Sequence, residues 1–256
     1  MIKFKLKNRH NEKIAGIVEN LEGSRLVFVV HGLSGYKEQL HIENIAKSFV
    51  EKDYVAVRFD CTHSFNESEG SYENATLTGY LDDLEDVVEW AKQQSWFRAP
   101  FALAGHSMGG YAVSRYSQIH NDLVETLISF APVVSGKKML ESRRIDHPDI
   151  MKKWQKTGTL TEESRSRPGF VKKLNWHPHN TDAMRHDLMD MVEKITAETL
   201  VIYGDSDFLN NQGSIHDFYN GLITNKKEII VSNGDHDLSG EKQQTVLKKS
   251  IEEFIS

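Results

Sequence analysis

Phe101-Ala102-Leu103-Ala104-Gly105-His106-Ser107-Met108-Gly109-Gly110 is the stretch on which the fold turns. Its first four residues make a short apolar run, and residues 111–119 continue with helical character. Between them lies G-x-S-x-G, the pattern of a sharp strand-to-helix turn with a serine at its apex. So tight a turn strains the serine backbone and leaves no room for side chains two residues to either side. Gly105 and Gly109 meet that demand, because glycine lets backbones approach closely. A serine presented this way is a candidate nucleophile. Its neighbour His106 points elsewhere on the bend and reads as a packing residue.

Outward from this turn, short apolar runs alternate with helical periodicity. Residues 26–30, 55–59, 101–104, 127–130, 200–203 and 229–231 read as strands. Their continuous apolarity predicts burial on both faces, as in a parallel sheet flanked by helices. Ile42, Ile45, Ala46, Phe49 and Val50 form one helical stripe, and Leu77, Leu81, Leu84, Val88 and Ala91 a longer one. Leu247, Ile251 and Phe254 form a third near the C-terminus. At the N-terminus Ile2, Phe4 and Leu6 alternate with lysines, a polar turn follows at 8–11, and 14–18 is apolar again. That pattern predicts an antiparallel hairpin at the sheet edge. The expected fold is α/β, a mostly parallel doubly wound sheet with an N-terminal hairpin.

Residues 135–195 break the rhythm. No strand-like run is evident there, and three of the five prolines (Pro148, Pro168 and Pro178) fall within it. The stretch carries 13 Lys and Arg against 9 Asp and Glu, whereas the rest of the chain carries 18 against 28. It leaves one strand and returns to another, so it is predicted to be a cap, or lid, inserted into a core domain made of 1–134 and 196–256. Its place is over the carboxyl ends of the strands, where ligands of open α/β sheets bind. Met139, Met151, Met184, Met189, Met191, Trp154 and Trp176 supply it with apolar bulk, chiefly as a small core. Trp154 and Trp176 are also the candidate substrate-binding residues. A mostly apolar pocket of this kind suits small to medium acyl groups, and the basic excess would act on the approach of ligands.

Bulk properties narrow the classes of function. The formal net charge of −6 argues against a nucleic-acid partner, which calls for a basic stripe. Cys61 is the single cysteine, so no intrachain disulfide can form. The charged start, residues 1–13, shows no apolar signal-peptide region, and no apolar run approaches the roughly 20 residues of a membrane span. The expectation is a cytoplasmic protein without stable membrane insertion, with a homodimer left open. His177-Pro178-His179 and His186 lack the spacing of metal-binding histidines, so neither a metal nor another cofactor is expected.

A serine hydroxyl becomes a nucleophile when a base takes its proton and a third group orients that base. Two later strands lead into Gly204-Asp205-Ser206-Asp207 and Asn233-Gly234-Asp235-His236, on the same sheet edge as Ser107. His236 is the candidate base, and spacing leaves both Asp205 and Asp207 open as the orienting acid. Developing negative charge on a reacting carbonyl needs N–H donors. The backbone N–H of Met108 is one candidate, and that of Leu33, in His31-Gly32-Leu33 after the strand 26–30, is the other.

Together these residues resemble the α/β-hydrolase superfamily over nearly the whole chain. The chain is most similar to bacterial cinnamoyl/feruloyl esterase-like carboxylesterases and to the serine aminopeptidase/monoacylglycerol lipase group. The matching motifs are His31-Gly32-Leu33, Arg58-Phe59-Asp60 with Ser68-Glu69-Gly70, the turn around Ser107, Gly204-Asp205-Ser206-Asp207 and Gly234-Asp235-His236. The resemblance implies that the acid stands three residues after its loop glycine, which is Asp207, and that a cap lies where 135–195 lies. It implies a serine hydrolase acting on carboxylic ester substrates through an acyl-enzyme. A thioesterase or acyltransferase using the same residues, or a catalytically silent binding protein, is the alternative. Two stretches depart from the family pattern. Residues 60–70 have lost the family's central glycines and carry an extra residue, so this loop should be reshaped. Phe208-Leu209-Asn210-Asn211 replaces a more usual Val- and Pro-containing stretch.

Overall fold

Strands run apolar on both faces where helices cover the sheet and alternate where one face meets water. The computed structural model, which describes residues 1–164 and 169–256, shows both patterns. Pro168 lies outside the described residues. β1 (Ile2–Lys7) and β2 (Lys13–Glu19) form the N-terminal hairpin, with Ile2 opposite Val18 and Leu6 opposite Ile14. Then follow β3 (Arg25–Val30), α1 (Leu40–Val50), β4 (Tyr54–Asp60), α2 (Leu77–Ala91), β5 (Phe101–His106), α3 (Met108–Ile119) and β6 (Val124–Phe130). After a long excursion come β9 (Glu198–Gly204), α7 (Gln212–Gly221), β10 (Lys226–Val231) and α8 (Glu241–Phe254). The eight strands lie in the order β1-β2-β4-β3-β5-β6-β9-β10, and only β2 runs against the others, pairing antiparallel with both β1 and β4. Every residue of β4 and β5 is buried, and the helix pairs α1–α8 and α2–α3 cover the sheet. Thr76 caps α2 by accepting from the Gly79 N–H, which fixes where that helix begins.

The edge strand β10 behaves differently from the expected burial on both faces. β10 is the last strand of the sheet, and Ile230 on it is exposed, because an edge strand has helix cover on one side only. On β1 only Phe4 is buried, stacked on Trp90 of α2 with ring centroids 4.2 Å apart.

The excursion between β6 and β9 contributes no strand to the main sheet. It holds α4 (Gly136–Asp146), α5 (Pro148–Thr157), β7 (Thr159–Glu163), β8 (Val171–Asn175), α6 (Trp176–Ala183) and a 3-10 turn at Leu188–Lys194. The β7–β8 hairpin corrects the expectation that this segment has no strands. Both strands are short and polar, and cross-strand partners such as Leu160–Leu174 and Glu162–Lys172 define them rather than any apolar run. No helix among the described residues is long and apolar enough to cross a membrane.

Residues 60–70 are anchored on a buried ion pair, Lys37–Asp60. Lys37, fully buried, donates from its backbone N–H to Asp60 Oδ1 (2.9 Å) and from Nζ to Asp60 Oδ2 (2.7 Å) and Glu67 Oε2 (2.6 Å). The Glu67 N–H and the Asn66 amide also donate to the Asp60 carboxylate. Lys37 thus ties the start of this loop to its middle. Removing one partner of a buried pair strands the other charge. Asp60→Ala should therefore lower the unfolding free energy by about 3–5 kcal/mol in urea titrations, whereas an exposed pair such as Lys92–Glu89 should contribute less than about 1 kcal/mol.

Candidate active site

β5 ends at His106, and the chain turns at once into α3. Ser107 stands at that turn with φ 56° and ψ −113°, a conformation that costs a side-chain-bearing residue of order 1–3 kcal/mol. Local bonds hold the strain in place. The Ser107 N–H donates to the Phe130 carbonyl (2.9 Å), and its own carbonyl accepts from Tyr111 (2.9 Å) and Val133 (3.2 Å). A methyl group on Gly105 would collide with the Gly109 carbonyl, and one on Gly109 would strike the Val30 carbonyl at the end of β3. The first turn of α3 is therefore pressed against the loop that follows β3. In this way Leu33, Ser107 and Met108 come to border one small hollow of about 20 Å³. The N–H groups of Leu33 and Met108 have no acceptor among the described residues. The Met108 N–H also belongs to the first turn of a helix, where anions are favoured.

Asp207 and His236 arrive from the ends of β9 and β10. His236 Nδ1 lies 2.7 Å from Asp207 Oδ2, and since a carboxylate only accepts, Nδ1 carries the proton and Nε2 is the ring's acceptor. The other carboxylate oxygen, Oδ1, accepts from the N–H groups of Leu209 (2.8 Å) and Asn210 (3.3 Å). Burial pushes the Asp207 carboxyl up, but His236 and these N–H groups outweigh it and hold it below the ordinary aspartate value. Asp205 is exposed and bonds to the Ser206 hydroxyl. Of the two aspartates that spacing left open, Asp207 is the one on the imidazole.

Three further histidines pack behind this site. His31 Nε2 accepts from the Cys61 N–H (2.9 Å), so its Nδ1–H donates to the Gly32 carbonyl (2.7 Å), which also accepts from the Tyr80 hydroxyl (3.0 Å). That arrangement shapes the turn presenting Leu33. His106 Nε2 donates to the His236 carbonyl (2.9 Å) and so holds the His236 loop. His41 lies with its ring centroid 4.5 Å from that of His106, and Asp237 completes a trio whose ligand atoms fall within 4.8 Å of one another. Sequence spacing gave no sign of this trio, because its members come from three distant elements. The histidines that sequence did single out are dispersed: His177 is exposed, His179 donates to the Ala75 carbonyl, and His186 meets Tyr111 and Thr78. Cys61 is buried, and burial raises its thiol pKa, which keeps it in the unreactive protonated form.

A cavity of about 260 Å³ opens over Ser107 and His236. Core loops and the β6–β9 segment share its lining: Ser34 and Tyr72 on one side, Ile150, Met151 and Leu174 on the other, with Phe208 and Leu209 also contributing. Trp154 belongs to this wall, fixed by a hydrogen bond from Nε1 to the Leu174 carbonyl (2.9 Å). Trp176 does not line the cavity. It stands edge-on to Trp154 at 5.4 Å, which corrects its assignment from a substrate contact to a support for the neighbouring ring. Arg143, Glu162 and Lys172 also reach the cavity and were not foreseen, since nothing in the sequence separates them from the other charges of the segment.

A strained serine after a central parallel strand, with a paired aspartate and histidine from the two last strands, places the molecule among the α/β hydrolases. Within that class the chain belongs to the family described as serine aminopeptidase, S33, whose model matches residues 22–243. Among solved structures it is similar to Est1E of Butyrivibrio proteoclasticus with ferulic acid bound, at 22% identity and a TM-score of 0.80 over 98% of this chain and 97% of that one. It is also similar to mouse alpha/beta hydrolase domain-containing protein 10, at 15% identity and a TM-score of 0.80 over 100% of this chain and 98% of that one. The Pyrococcus furiosus esterase Pf2001 superposes at 17% identity and a TM-score of 0.72 over 99% of this chain and 90% of that one. A search of curated proteins gives no match.

Burial keeps the histidines around the site neutral. It lowers the pKa of His31 and His41, and takes His106 (with a contribution from the charge of His236) and His179 down to about 4. Between the ordinary histidine value of about 6.5 and pH 4, the unfolded chain therefore binds protons on these four rings that the folded chain does not. Burial acts in the opposite sense on Asp82 and on Asp83, whose pKa rises to about 6. Four imidazoles outweigh two carboxyls, so stability should fall as pH is lowered from 6.5 to 4. Urea unfolding at several pH values checks the sign, and His41→Phe should make the dependence shallower.

Proposed function

We propose that this protein is a serine hydrolase that cleaves carboxylic esters with small to medium acyl groups through an acyl-enzyme intermediate. Ser107 Oγ attacks the ester carbonyl carbon as its proton passes to His236 Nε2. Asp207 keeps the imidazole in the tautomer that can accept it and stabilises the imidazolium. The N–H groups of Leu33 and Met108 take the charge that develops on the carbonyl oxygen. Collapse expels the alcohol with the proton held by His236, and a water then repeats the sequence to release the acid. The observation that carries this reading is the 2.7 Å Asp207–His236 contact facing the same cavity as the strained Ser107.

Within the serine aminopeptidase family, ester chemistry is favoured here over removal of an amino-terminal residue. An aminopeptidase must seat a free ammonium group; of the acids lining the cavity Glu162 is already paired with Lys172 and Asp237 lies against His106, and Arg143 has the wrong sign. Names among the structural neighbours agree: Pf2001 is an esterase, and Est1E holds ferulic acid. We assign residues 135–195 as a cap over a core of 1–134 and 196–256, with Trp154 as a wall of the acyl or alcohol site.

Ser107→Ala should remove ester turnover by a factor on the order of 10⁶ while leaving the thermal melt unchanged. A fluorophosphonate probe should label the wild-type protein at Ser107 and fail on the mutant. Ester turnover at the wild-type rate in the mutant would refute the assignment. Asp207→Asn should cost roughly 10⁴-fold in kcat through the wrong imidazole tautomer, and Asp205→Asn should cost far less. The reverse ranking in steady-state kinetics would transfer the role to Asp205.

A further inference from the structure

Arg143 occupies the last turn of α4, where a cation complements the carboxyl end of the helix. That general reason covers Arg144 equally, but Arg144 is exposed whereas Arg143 is half-buried and lines the active-site cavity. It also lines the small hollow bordered by Leu33, Ser107 and Met108, so Arg143, like Ser107, borders both spaces. No hydrogen bond or ion pair to a described residue engages its guanidinium. Burial pulls its pKa down, against the influence of Tyr72 and Glu162.

Of the other charges on the wall, Asp237 is half-exposed and lies 3.6 Å from His106 Nε2. Lys172 pairs with Glu162 across the β7–β8 hairpin at 3.5 Å. Tyr72 shares a hydrogen bond with the Ser34 hydroxyl at 3.0 Å, and His236 is held by Asp207. A half-desolvated guanidinium with no hydrogen-bonded counter-charge, on which the Lys172-paired Glu162 acts only through space, gains from a carboxylate brought by a ligand. Its planar fork of N–H donors matches the two oxygens of a carboxylate.

We propose that Arg143 is a substrate-recognition residue that binds a carboxylate carried by the ester, so that the preferred substrates are half-esters of dicarboxylic acids or esters of hydroxy acids. This rests on the hydrolase reading above and sharpens it. The uncharged acyl chain that an apolar pocket suggests is thereby replaced by a chain of similar length ending in one negative charge. A single charge suits the site better than a phosphate dianion, because Glu162 stands on the same wall and repels a second charge.

Two matched substrate pairs test the proposal on either side of the ester: monoethyl glutarate against ethyl valerate, and 4-acetoxybutanoate against butyl acetate. In each pair a carboxylate replaces a methyl group. For at least one pair, the ratio of kcat/KM for the anionic over the neutral ester should fall at least about tenfold in Arg143→Gln, the scale of a charge-assisted hydrogen bond. Arg143→Lys should fall between the two, because it keeps the charge and loses the fork. Ratios that stay within about twofold of wild type in both variants, for both pairs, would overturn the proposal.

Calorimetry reads the same site without turnover. Monoethyl glutarate should bind Ser107→Ala at least tenfold more tightly than the Ser107→Ala, Arg143→Gln double variant. Binding that depends on Arg143, in a protein whose wild type hydrolyses no ester, would sink the hydrolase reading and keep the anion site. Ester hydrolysis with no dependence on Arg143 in either measurement would do the reverse. Inorganic phosphate binding as tightly as monoethyl glutarate would also overturn the assignment to a carboxylate.

Discussion

The close approach of α3 to the end of β3 is the constraint on which the site depends. Gly109 has no side chain, so the first turn of the helix lies directly against the Val30 carbonyl, and Gly105 leaves the space that the Gly109 carbonyl fills. The same contact forces Ser107 to φ 56° and sets its hydroxyl at the head of a helix. It also brings Leu33 and Met108 to one hollow, which neither element could form alone. Strain at the serine is held by three backbone hydrogen bonds from β6, α3 and the chain after β6. The site is thus a product of packing density rather than of loop flexibility, and any added methyl at either glycine would be felt across it.

Electrostatics finishes what packing begins. Asp207 is buried yet ionised because two backbone N–H groups and one imidazole supply the hydrogen bonds that water would otherwise provide. Around it, histidines serve as neutral linkers between loops: His31 ties the loop after β3 to the end of β4, and His106 ties the end of β5 to the His236 loop. The same principle governs the 60–70 loop, where Lys37 draws Asp60 and Glu67 together.

The β6–β9 segment is built by different rules. Its small core, in which Trp154 bonds to the Leu174 carbonyl and stands edge-on to Trp176, fixes one wall of the cavity. Its hairpin carries one charged pair, Glu162 and Lys172, to the cavity, and α4 adds Arg143, which makes no hydrogen bond or ion pair with a described residue. Core loops carry Ser107 and His236, and core loops and this segment together line the cavity above them.

The strand and helix order of the core, the N-terminal hairpin and the turn at Ser107 were legible in the sequence. Each is fixed by local periodicity or by glycines at set positions, and these act over a few residues. Asp207, Leu33 and Met108 could be named from motifs in the same way, but the choice of Asp207 over Asp205 is a matter of which carboxylate faces an imidazole 29 residues later. Lys37, the His41–His106–Asp237 trio, the β7–β8 hairpin, the retreat of Trp176 behind Trp154 and the exposure of Arg143 to the cavity were decided by the tertiary structure. In each case the partners are remote in sequence, and their chemistry depends on which side of a wall the side chain reaches. Local pattern carries the identity of an element, whereas the direction of a long polar side chain is set by the space that other elements leave open.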